Sequence, residues 1–95
     1  MNLIWGSRAR RDFHELISYI AEESIRTAEL VSNRIENATE VLRTMPRSGR
    51  PGRVAGTREH PVPRTPYILV YRVNPSGVLS LRIYRAARRW PERFD

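Results

Sequence analysis

The sequence predicts an α+β fold in which an N-terminal helical hairpin packs on one face of an antiparallel-rich sheet of about four strands, in the order β-α-α-β-β-β. Two observations support this prediction. Apolar residues recur at steps of three and four from Ala9 to Met45, which is helical spacing. Beyond Pro46, short runs rich in Val, Ile, Leu and Tyr are separated by turn residues. At 95 residues, the chain is predicted to form one domain, residues 1–95.

Two helices are predicted in the first half of the chain. Residues 2–5 form a short strand that Gly6 ends, and Ser7 is the predicted N-cap of a helix over residues 8–21. A second helix begins at Ser24 or Thr27 and ends before Pro46. The connection is short, so the helices form an antiparallel hairpin. Its core-facing stripes are Ala9, Phe13, Leu16, Ile17 and Ile20, and Ala28, Val31, Ile35, Ala38, Leu42 and Met45.

Strands are predicted in the second half. Residues 46–53 form a loop by composition, residues 54–59 a short strand, and residues 67–73 and 78–84 a hairpin around the turn at residues 74–77. Alternation along the last strand predicts two sets of side chains with opposite directions. The set facing the helices is Leu79, Leu81 and Ile83, and the set on the open face is Ser80, Arg82 and Tyr84.

The charge of the chain is high and unevenly distributed. The formal net charge is +7, the pI is about 11.2, and all 17 basic residues are arginine. Residues 1–46 hold six arginines against seven acids, and residues 47–95 hold eleven against three, so the two halves carry net charges of −1 and +8. Guanidinium groups bind phosphate and carboxylate through paired hydrogen bonds and stay charged near neutrality. The second half is therefore predicted to present an anion-binding face of the sheet.

The composition also excludes several classes of site. The chain has no cysteine, which excludes disulfides, zinc–thiolate sites and cysteine nucleophiles. The chain has no apolar run of about 18 residues, so no transmembrane helix is predicted, and its N-terminus does not resemble a signal peptide. We therefore expect a cytoplasmic protein with no membrane association, no metal and no organic cofactor.

Four segments, in order, resemble the RelE/ParE superfamily of bacterial toxins, and together they span nearly the whole chain. The opening is Leu3-Ile4-Trp5, followed by Ala9-Arg10-Arg11-Asp12-Phe13, and the middle segment runs from Pro46 to Glu59 with the pattern P-x-x-G-R-x-G-R-x-x-G-T-R-E. Residues 66–73 resemble the central strand of the family. Residues 83–91 read Ile-Tyr-Arg-Ala-Ala-Arg-Arg-Trp-Pro. They resemble the ending of the family, in which a hydrophobic residue and a histidine are followed by an arginine and Trp-Pro.

This resemblance implies the toxin of a type II toxin–antitoxin module, acting in plasmid stabilisation or growth arrest and neutralised by a cognate antitoxin. In the family, an antitoxin segment wraps the helices and sheet of the toxin. The branches differ in their target. ParE-like members poison DNA gyrase and need no catalytic groups, whereas RelE-like members cut messenger RNA on the ribosome.

Metal-free RNA cleavage needs a base for the 2′-hydroxyl, positive charge for the phosphorane and an acid for the leaving oxygen. Arginine suits the second task but is a poor base. Proton transfer therefore falls to His14, His60, the tyrosines and a few carboxylates. Tyr84 stands where many relatives carry histidine, and Ile68 where the ribonuclease branch tends to carry arginine. Both departures favour the gyrase branch, and the ribonuclease stays the alternative.

The same arginines are candidates under either function. For a ribonuclease, the predicted catalytic residues are Arg58, Arg72, Arg82, Tyr84 and Arg88. For target binding, the predicted residues are Arg58, Arg72, Arg82, Arg85, Arg88, Arg89 and Trp90. Both predictions depend on these guanidinium groups converging on one face of the sheet.

Overall fold

A helical hairpin and a five-stranded sheet make up the fold. The computed structural model describes residues 1–87 and Pro91. The elements are β1 (Leu3–Trp5), α1 (Ser7–Glu23), α2 (Ile25–Thr44), β2 (Arg50–Pro51), β3 (Arg58–Pro61), β4 (Tyr67–Asn74) and β5 (Gly77–Arg85). The α+β class and the element order agree with the prediction. Neither helix is long and apolar enough to cross a membrane, a finding that covers the described residues only.

The helices begin and end close to their predicted positions. Gly6, and not Ser7, is the N-cap of α1, and it makes no side-chain capping hydrogen bond. A single residue, Ser24, separates the two helices, and its Oγ accepts the N–H of Thr27 at 3.1 Å. This bond satisfies one of the free N–H groups at the start of α2. The helix ends before Pro46, as predicted.

The sheet has the strand order β1-β5-β4-β3-β2. β1 pairs with β5 in parallel, and the other neighbours are antiparallel. The fifth strand, β2, lies in the segment predicted to be a loop. The strand predicted over residues 54–59 is instead β3, because the Gly52 N–H binds the Thr57 carbonyl at 2.7 Å and closes residues 52–57 into the connection from β2.

A β-bulge in β5 changes which side chains face the helices. Val70 pairs with Arg82 and Tyr71 with Ser80, so Leu81 is an extra residue in the strand. The alternation therefore reverses at Leu81. Ile83 packs in the core as predicted, but Ser80 is opposite the core residue Tyr71 and is not on the open face.

The same reversal corrects the prediction for two leucines. Leu79 is opposite Arg72, on the face of the sheet away from the helices, which we call the outer face. Leu81, the extra residue, is not among the side chains packed in the core cluster. A single inserted residue inverts a period of two, and the sequence alone does not reveal the insertion.

The core lies between α2 and the covered face of the sheet. Ile35 and Leu42 of α2 are fully buried, together with Leu69 and Tyr71 of β4. α1 packs against the same cluster through its predicted apolar stripe, including Phe13 and Leu16. Burying a side chain of this size stabilises the fold by about 1.5–3 kcal/mol. The predicted stripes of both helices thus supply the core, apart from Met45, which is exposed.

Candidate functional site

Arg82 is held by a carboxylate of α1 and is not displayed on an open surface. β1 ends at Trp5, so β5 beyond Ser80 has no strand beside it on that edge within the described residues. Asp12 of α1 lies there and accepts hydrogen bonds from Arg82 Nε at 2.7 Å and Nη2 at 3.0 Å. The hydrogen bonding of the Arg82 guanidinium to the Asp12 carboxylate is the largest cause that raises the pKa of Arg82. The two side chains are only 20% and 12% exposed.

Tyr84 and its neighbours show that part of the outer face is buried. Tyr84 is 2% exposed, and Ile68 and Val70, which share its face, are buried as well. The Arg82 guanidinium carbon lies 4.7 Å from the centre of the Tyr84 ring, a cation–π contact. The prediction of an open face around Tyr84 is therefore wrong. The unbroken apolar run from Tyr67 to Tyr71 is the signal of a strand buried on both faces.

Arg58 lies on the covered face and holds a loop. It is opposite Tyr71, and its Nη1 donates to the carbonyl of Gly49 at 2.7 Å. The Tyr71 hydroxyl accepts the N–H of Gly49 at 3.0 Å and donates to the carbonyl of Pro46 at 2.8 Å. Burial raises the pKa of this hydroxyl. Arg58 and Tyr71 together fix the path of the chain from α2 to β2.

Glu59 is a buried carboxylate that the sequence prediction missed. It is 1% exposed and accepts hydrogen bonds from Arg50 Nη2 at 3.0 Å, Arg53 Nε at 3.1 Å and the Arg53 N–H at 2.8 Å. Burial alone raises the pKa of Glu59, but the hydrogen bonds from Arg53 and Arg50 outweigh it, so the net pKa lies below its usual value. Arg50 and Arg53 of the basic half thus both pair with Glu59 of the same chain.

The remaining candidate residues are more accessible or lie outside the described part. Arg72 is half-buried on the outer face, and no acidic side chain of residues 1–87 lies within ion-pair distance of it. Arg85 is exposed, with its guanidinium carbon 5.9 Å from the centre of the Tyr67 ring. Arg88, Arg89 and Trp90 lie outside the described residues.

The predicted convergence on one face is only partly present. Arg72, Arg82 and Tyr84 share the outer face. Arg58 is opposite Tyr71 and Arg85 is opposite Tyr67, which are both core residues on the covered face, so the prediction is wrong for Arg58 and Arg85. His60 is opposite Leu69 and therefore also lies on the covered face. Burial lowers the pKa of its imidazole.

His14 is exposed on α1, far along the chain from these groups. Within residues 1–87 and Pro91, no three His, Cys, Asp or Glu side chains form a cluster that could hold a metal ion.

One flank of α2 forms a surface with both apolar and basic groups. Leu30, Val41 and Met45 are exposed there, and their spacing of eleven and four residues places them on the same side of the helix. A cleft of about 150 Å³ separates this flank from the β3–β4 connection. Its lining residues are Arg34, Asn37, Ala38, Val41, His60, Pro63 and Arg64. We call the surface formed by Leu30, Val41, Met45 and this cleft the α2 flank.

Backbone geometry fixes the basic end of the α2 flank. Arg64 has a φ of 59°, in the left-handed region that few residues other than glycine adopt. Its carbonyl accepts a hydrogen bond from Arg34 Nη1 at 3.2 Å. This bond ties the β3–β4 connection to α2 and places two arginines at one cleft.

Comparison with known proteins identifies the family. The family model of the ParE toxin of type II toxin–antitoxin systems, ParDE, matches residues 3–90. The chain belongs to this ParE toxin family. The RelE/ParE superfamily resemblance found in the sequence motifs is thereby confirmed.

Two relatives support the assignment to the ParE family. The chain is 38% identical over 88 residues to the candidate toxin Y4kP of Sinorhizobium fredii (strain NBRC 101917 / NGR234), covering 93% of this chain and 91% of that protein. It is also similar to a solved chain of the chromosomal ParDE toxin–antitoxin system from P. aeruginosa. That likeness has a TM-score of 0.78 and 26% identity, and it covers 90% of this chain and 95% of the other.

Proposed function

We propose that this ParE-family toxin inhibits DNA gyrase and is neutralised by a co-expressed antitoxin. The observation that carries the choice of target is the distribution of the groups that RNA cleavage would need. His60 and Arg58 lie on the covered face of the sheet, whereas Arg82 and Tyr84 lie on the outer face. Proton donor and acceptor must both reach one scissile phosphate, so this arrangement does not favour a ribonuclease.

The state of each candidate group adds to this argument. The Arg82 guanidinium is already bound to Asp12 at two positions, which reduces its capacity to stabilise a phosphorane. Tyr84 is buried, so a substrate reaches its hydroxyl only after rearrangement. An inhibitor that acts by binding needs neither group as a proton carrier. These features of the described residues support gyrase over messenger RNA as the target.

The α2 flank fits the antitoxin. A segment that folds on binding needs apolar contacts to offset the conformational entropy it loses. Leu30, Val41 and Met45 are exposed and can supply such contacts. Arg34 and Arg64 lie at the adjoining cleft and complement acidic side chains. The fitting occupant is an amphipathic, acidic segment of the antitoxin.

The target is tested with the purified toxin in two parallel assays. Gyrase supercoiling with detection of linear DNA should show inhibition and cleaved DNA, and a translation-coupled assay should leave messenger RNA intact. Toxin bound to its antitoxin is the control and should be inactive in both. Cleavage of messenger RNA at low toxin concentration, with gyrase unaffected, would reverse the proposal. In cells, filamentation with an SOS response indicates gyrase, whereas rapid arrest of protein synthesis indicates the ribosome.

The antitoxin surface is tested with two matched variants. Val41→Glu places a negative charge on the α2 flank and should weaken antitoxin binding by about tenfold or more, which corresponds to about 1.4 kcal/mol. Ile25→Glu makes the same kind of change at an exposed apolar residue on another side of α2 and should bind the antitoxin normally. Equal effects of the two variants, measured by calorimetry, would contradict this surface.

A further inference from the structure

The cleft between α2 and the β3–β4 connection combines cationic and apolar walls. We call it the α2 cleft, and its volume is about 150 Å³. The lining residues with nitrogen donors are Arg34, Asn37, His60 and Arg64. The apolar lining residues are Ala38, Val41 and Pro63, and within the described chain no aspartate or glutamate lines the cleft. A concave apolar site with a few converging polar groups is the usual form of a ligand site.

The donors of the α2 cleft have hydrogen-bonding capacity that the protein does not use. Arg34 gives one of its five N–H groups to the carbonyl of Arg64. Neither arginine makes an ion pair within residues 1–87. The imidazole of His60 is half-buried and makes no hydrogen bond to another described residue. Two cations and one imidazole therefore meet at the α2 cleft with most of their donors unused.

The acidic residues of α2 lie away from the α2 cleft. They are Glu29, Glu36 and Glu40. A helix turns by about 100° per residue, so all three lie about 120° or more around the axis from Arg34. Leu30 and Val41 are exposed and lie within about 40° of Arg34. A partner that is complementary to this side of α2 needs both negative charge and aliphatic side chains, which an acidic amphipathic segment has and a nucleic-acid backbone lacks.

The charged groups that face His60 in the α2 cleft are cations. α2 contributes Arg34, and the β3–β4 connection contributes Arg64. On β3 itself, Arg58 lies on the same covered face, and β4 places the uncharged Leu69 opposite His60. The pairing of β2 with β3 ends at Glu59, so β2 adds no group there. Burial lowers the pKa of the imidazole, so His60 is mostly neutral at about pH 7 in the free toxin.

The other titratable groups close to His60 are held elsewhere. Glu59 precedes it in β3 but lies on the opposite face by strand alternation, where it pairs with Arg50 and Arg53. The Tyr71 hydroxyl is bonded to the segment that follows α2. A carboxylate that enters the α2 cleft therefore supplies a negative charge that the described residues do not place beside His60. An opposite charge within about 4–6 Å favours the protonated imidazole.

We propose that the α2 cleft binds one aspartate or glutamate side chain of the antitoxin, and that His60 takes up a proton when this carboxylate binds. Arg34 and Arg64 donate charged hydrogen bonds, and protonated His60 adds a further donor. Because the complex then holds more protons than the free toxin, the affinity for antitoxin rises as the pH falls from about 8 to about 6. The site rests on the antitoxin docking proposed above for the α2 flank, and it is independent of the toxin's target.

The cationic wall is tested by calorimetry with full-length toxin variants and the purified co-expressed antitoxin. R64Q removes an exposed cation of the cleft and keeps the backbone carbonyl that accepts Arg34. It should weaken binding by about tenfold, because a charged hydrogen bond is lost. R43Q removes an exposed cation on the opposite side of α2 and should bind normally. Circular dichroism melts confirm that both variants are folded.

A matched pair of peptides identifies the bound group. Both are about 12 residues long, enough for three helical turns, and both are acetylated and amidated. They carry Leu at helical spacing and either Glu or Gln at the other positions. In fluorescence anisotropy, the Glu peptide should bind the toxin about tenfold more tightly than the Gln peptide. R64Q should reduce this ratio, and R43Q should preserve it.

Proton uptake is measured on the unmodified toxin. Calorimetry of antitoxin binding in two buffers of different ionisation enthalpy gives the number of protons taken up on association. Uptake should be positive at about pH 7, and the affinity should rise by about threefold to tenfold between about pH 8 and about pH 6. H60Q should remove both effects. H14Q, at an exposed position of α1, should retain them.

Several results would overturn the site. Equal antitoxin binding by R64Q and R43Q places no carboxylate in the α2 cleft, and pH dependence that survives in H60Q assigns the proton to another group. A Gln peptide with a free C-terminus that binds as tightly as the Glu peptide makes a chain terminus the ligand. Short duplex DNA that displaces the Glu peptide at equal charge makes nucleic acid the occupant.

Failure of this site is distinguishable from failure of the proposed function. If Val41→Glu weakens antitoxin binding and R64Q does not, the α2 flank stands and the carboxylate site falls. If Val41→Glu binds as well as Ile25→Glu, the antitoxin docks elsewhere and both fall. The gyrase assay decides the target in either case, because no antitoxin takes part in the inhibition itself.

Discussion

Asp12 of α1 binds Arg82 of β5 across 70 residues of sequence, and the same carboxylate accepts the backbone N–H of Ile83 at 2.9 Å. A strand edge without a neighbour leaves N–H and C=O groups unpaired. β1 covers β5 only as far as Ser80, so Asp12 replaces a strand partner just beyond that point. The first helix is thereby attached to the sheet by a polar contact in addition to its apolar stripe.

Asp12→Ala should lower the free energy of unfolding by about 2–4 kcal/mol, because it leaves the mostly buried Arg82 cation and the Ile83 N–H without their acceptor. Denaturant unfolding measures this loss. Glu22→Ala, which removes an exposed acid near the end of α1, is the matched control and should cost less than about 0.5 kcal/mol. Equal costs for the two variants would show that the Asp12–Arg82 contact contributes little.

Arg72 and Arg82 should respond differently to alanine, although both were predicted to bind the target. Arg72→Ala should reduce toxicity and leave the free energy of unfolding within about 0.5 kcal/mol, because no acidic residue pairs with Arg72 in the described chain. Arg82→Ala should lower the stability by about 1.5–3 kcal/mol as well. Growth assays at matched levels of folded toxin separate the two effects. Unchanged toxicity of the Arg72 variant would remove Arg72 from the target surface.

Tyr71→Phe should destabilise the protein by about 1–3 kcal/mol, because it leaves the Gly49 N–H and the Pro46 carbonyl without their buried partner. Thermal and denaturant unfolding provide the measurement. Tyr19→Phe removes a hydroxyl from a side chain that is 72% exposed and should have almost no effect. A Tyr71 variant as stable as the Tyr19 variant would mean that the two hydrogen bonds of the Tyr71 hydroxyl contribute little to stability.

Protonation of His60 should lower the free energy of unfolding as the pH falls below about 6.5. Burial lowers the pKa of His60 from 6.5 in the folded state, so the unfolded chain binds the proton first. The unfolding free energy is therefore full above pH 6.5 and declines as the pH falls toward the folded pKa. His60→Gln should flatten this part of the stability curve, whereas His14→Gln, at an exposed position, should not. A decline that persists unchanged in the His60 variant would assign it to other groups.

Much of the fold is readable in local pattern. The apolar stripes of α1 and α2, the stop before Pro46, the cap at Ser24 and the final hairpin all follow from spacing and from residue type. These features depend on neighbours within a few positions, and backbone sterics act at that range. The family follows from the same kind of local signal, because its motifs are short and appear in order.

The candidate site was less predictable, since it depends on which charges meet. The charge count indicates an arginine-rich second half, but it does not show that Glu59 binds Arg50 and Arg53 or that Arg58 binds loop carbonyls. The arginines that lack ion pairs in the described chain include Arg8, Arg10 and Arg11, in the half with the lower net charge. The net charge of a segment does not show which arginines form ion pairs, because tertiary contacts decide that.

The sequence by itself determined the two amphipathic helices, the apolar strands and the excess of arginine, because propensity, periodicity and charge belong to single residues and their near neighbours. Tertiary structure alone decided that β1 lies beside β5 and that the bulge at Leu81 reverses the faces of the last strand. It also decided that Asp12 binds Arg82. Each of these depends on residues far apart in the chain. Such contacts form only when packing of the core brings the helices onto the sheet, so no local pattern encodes them.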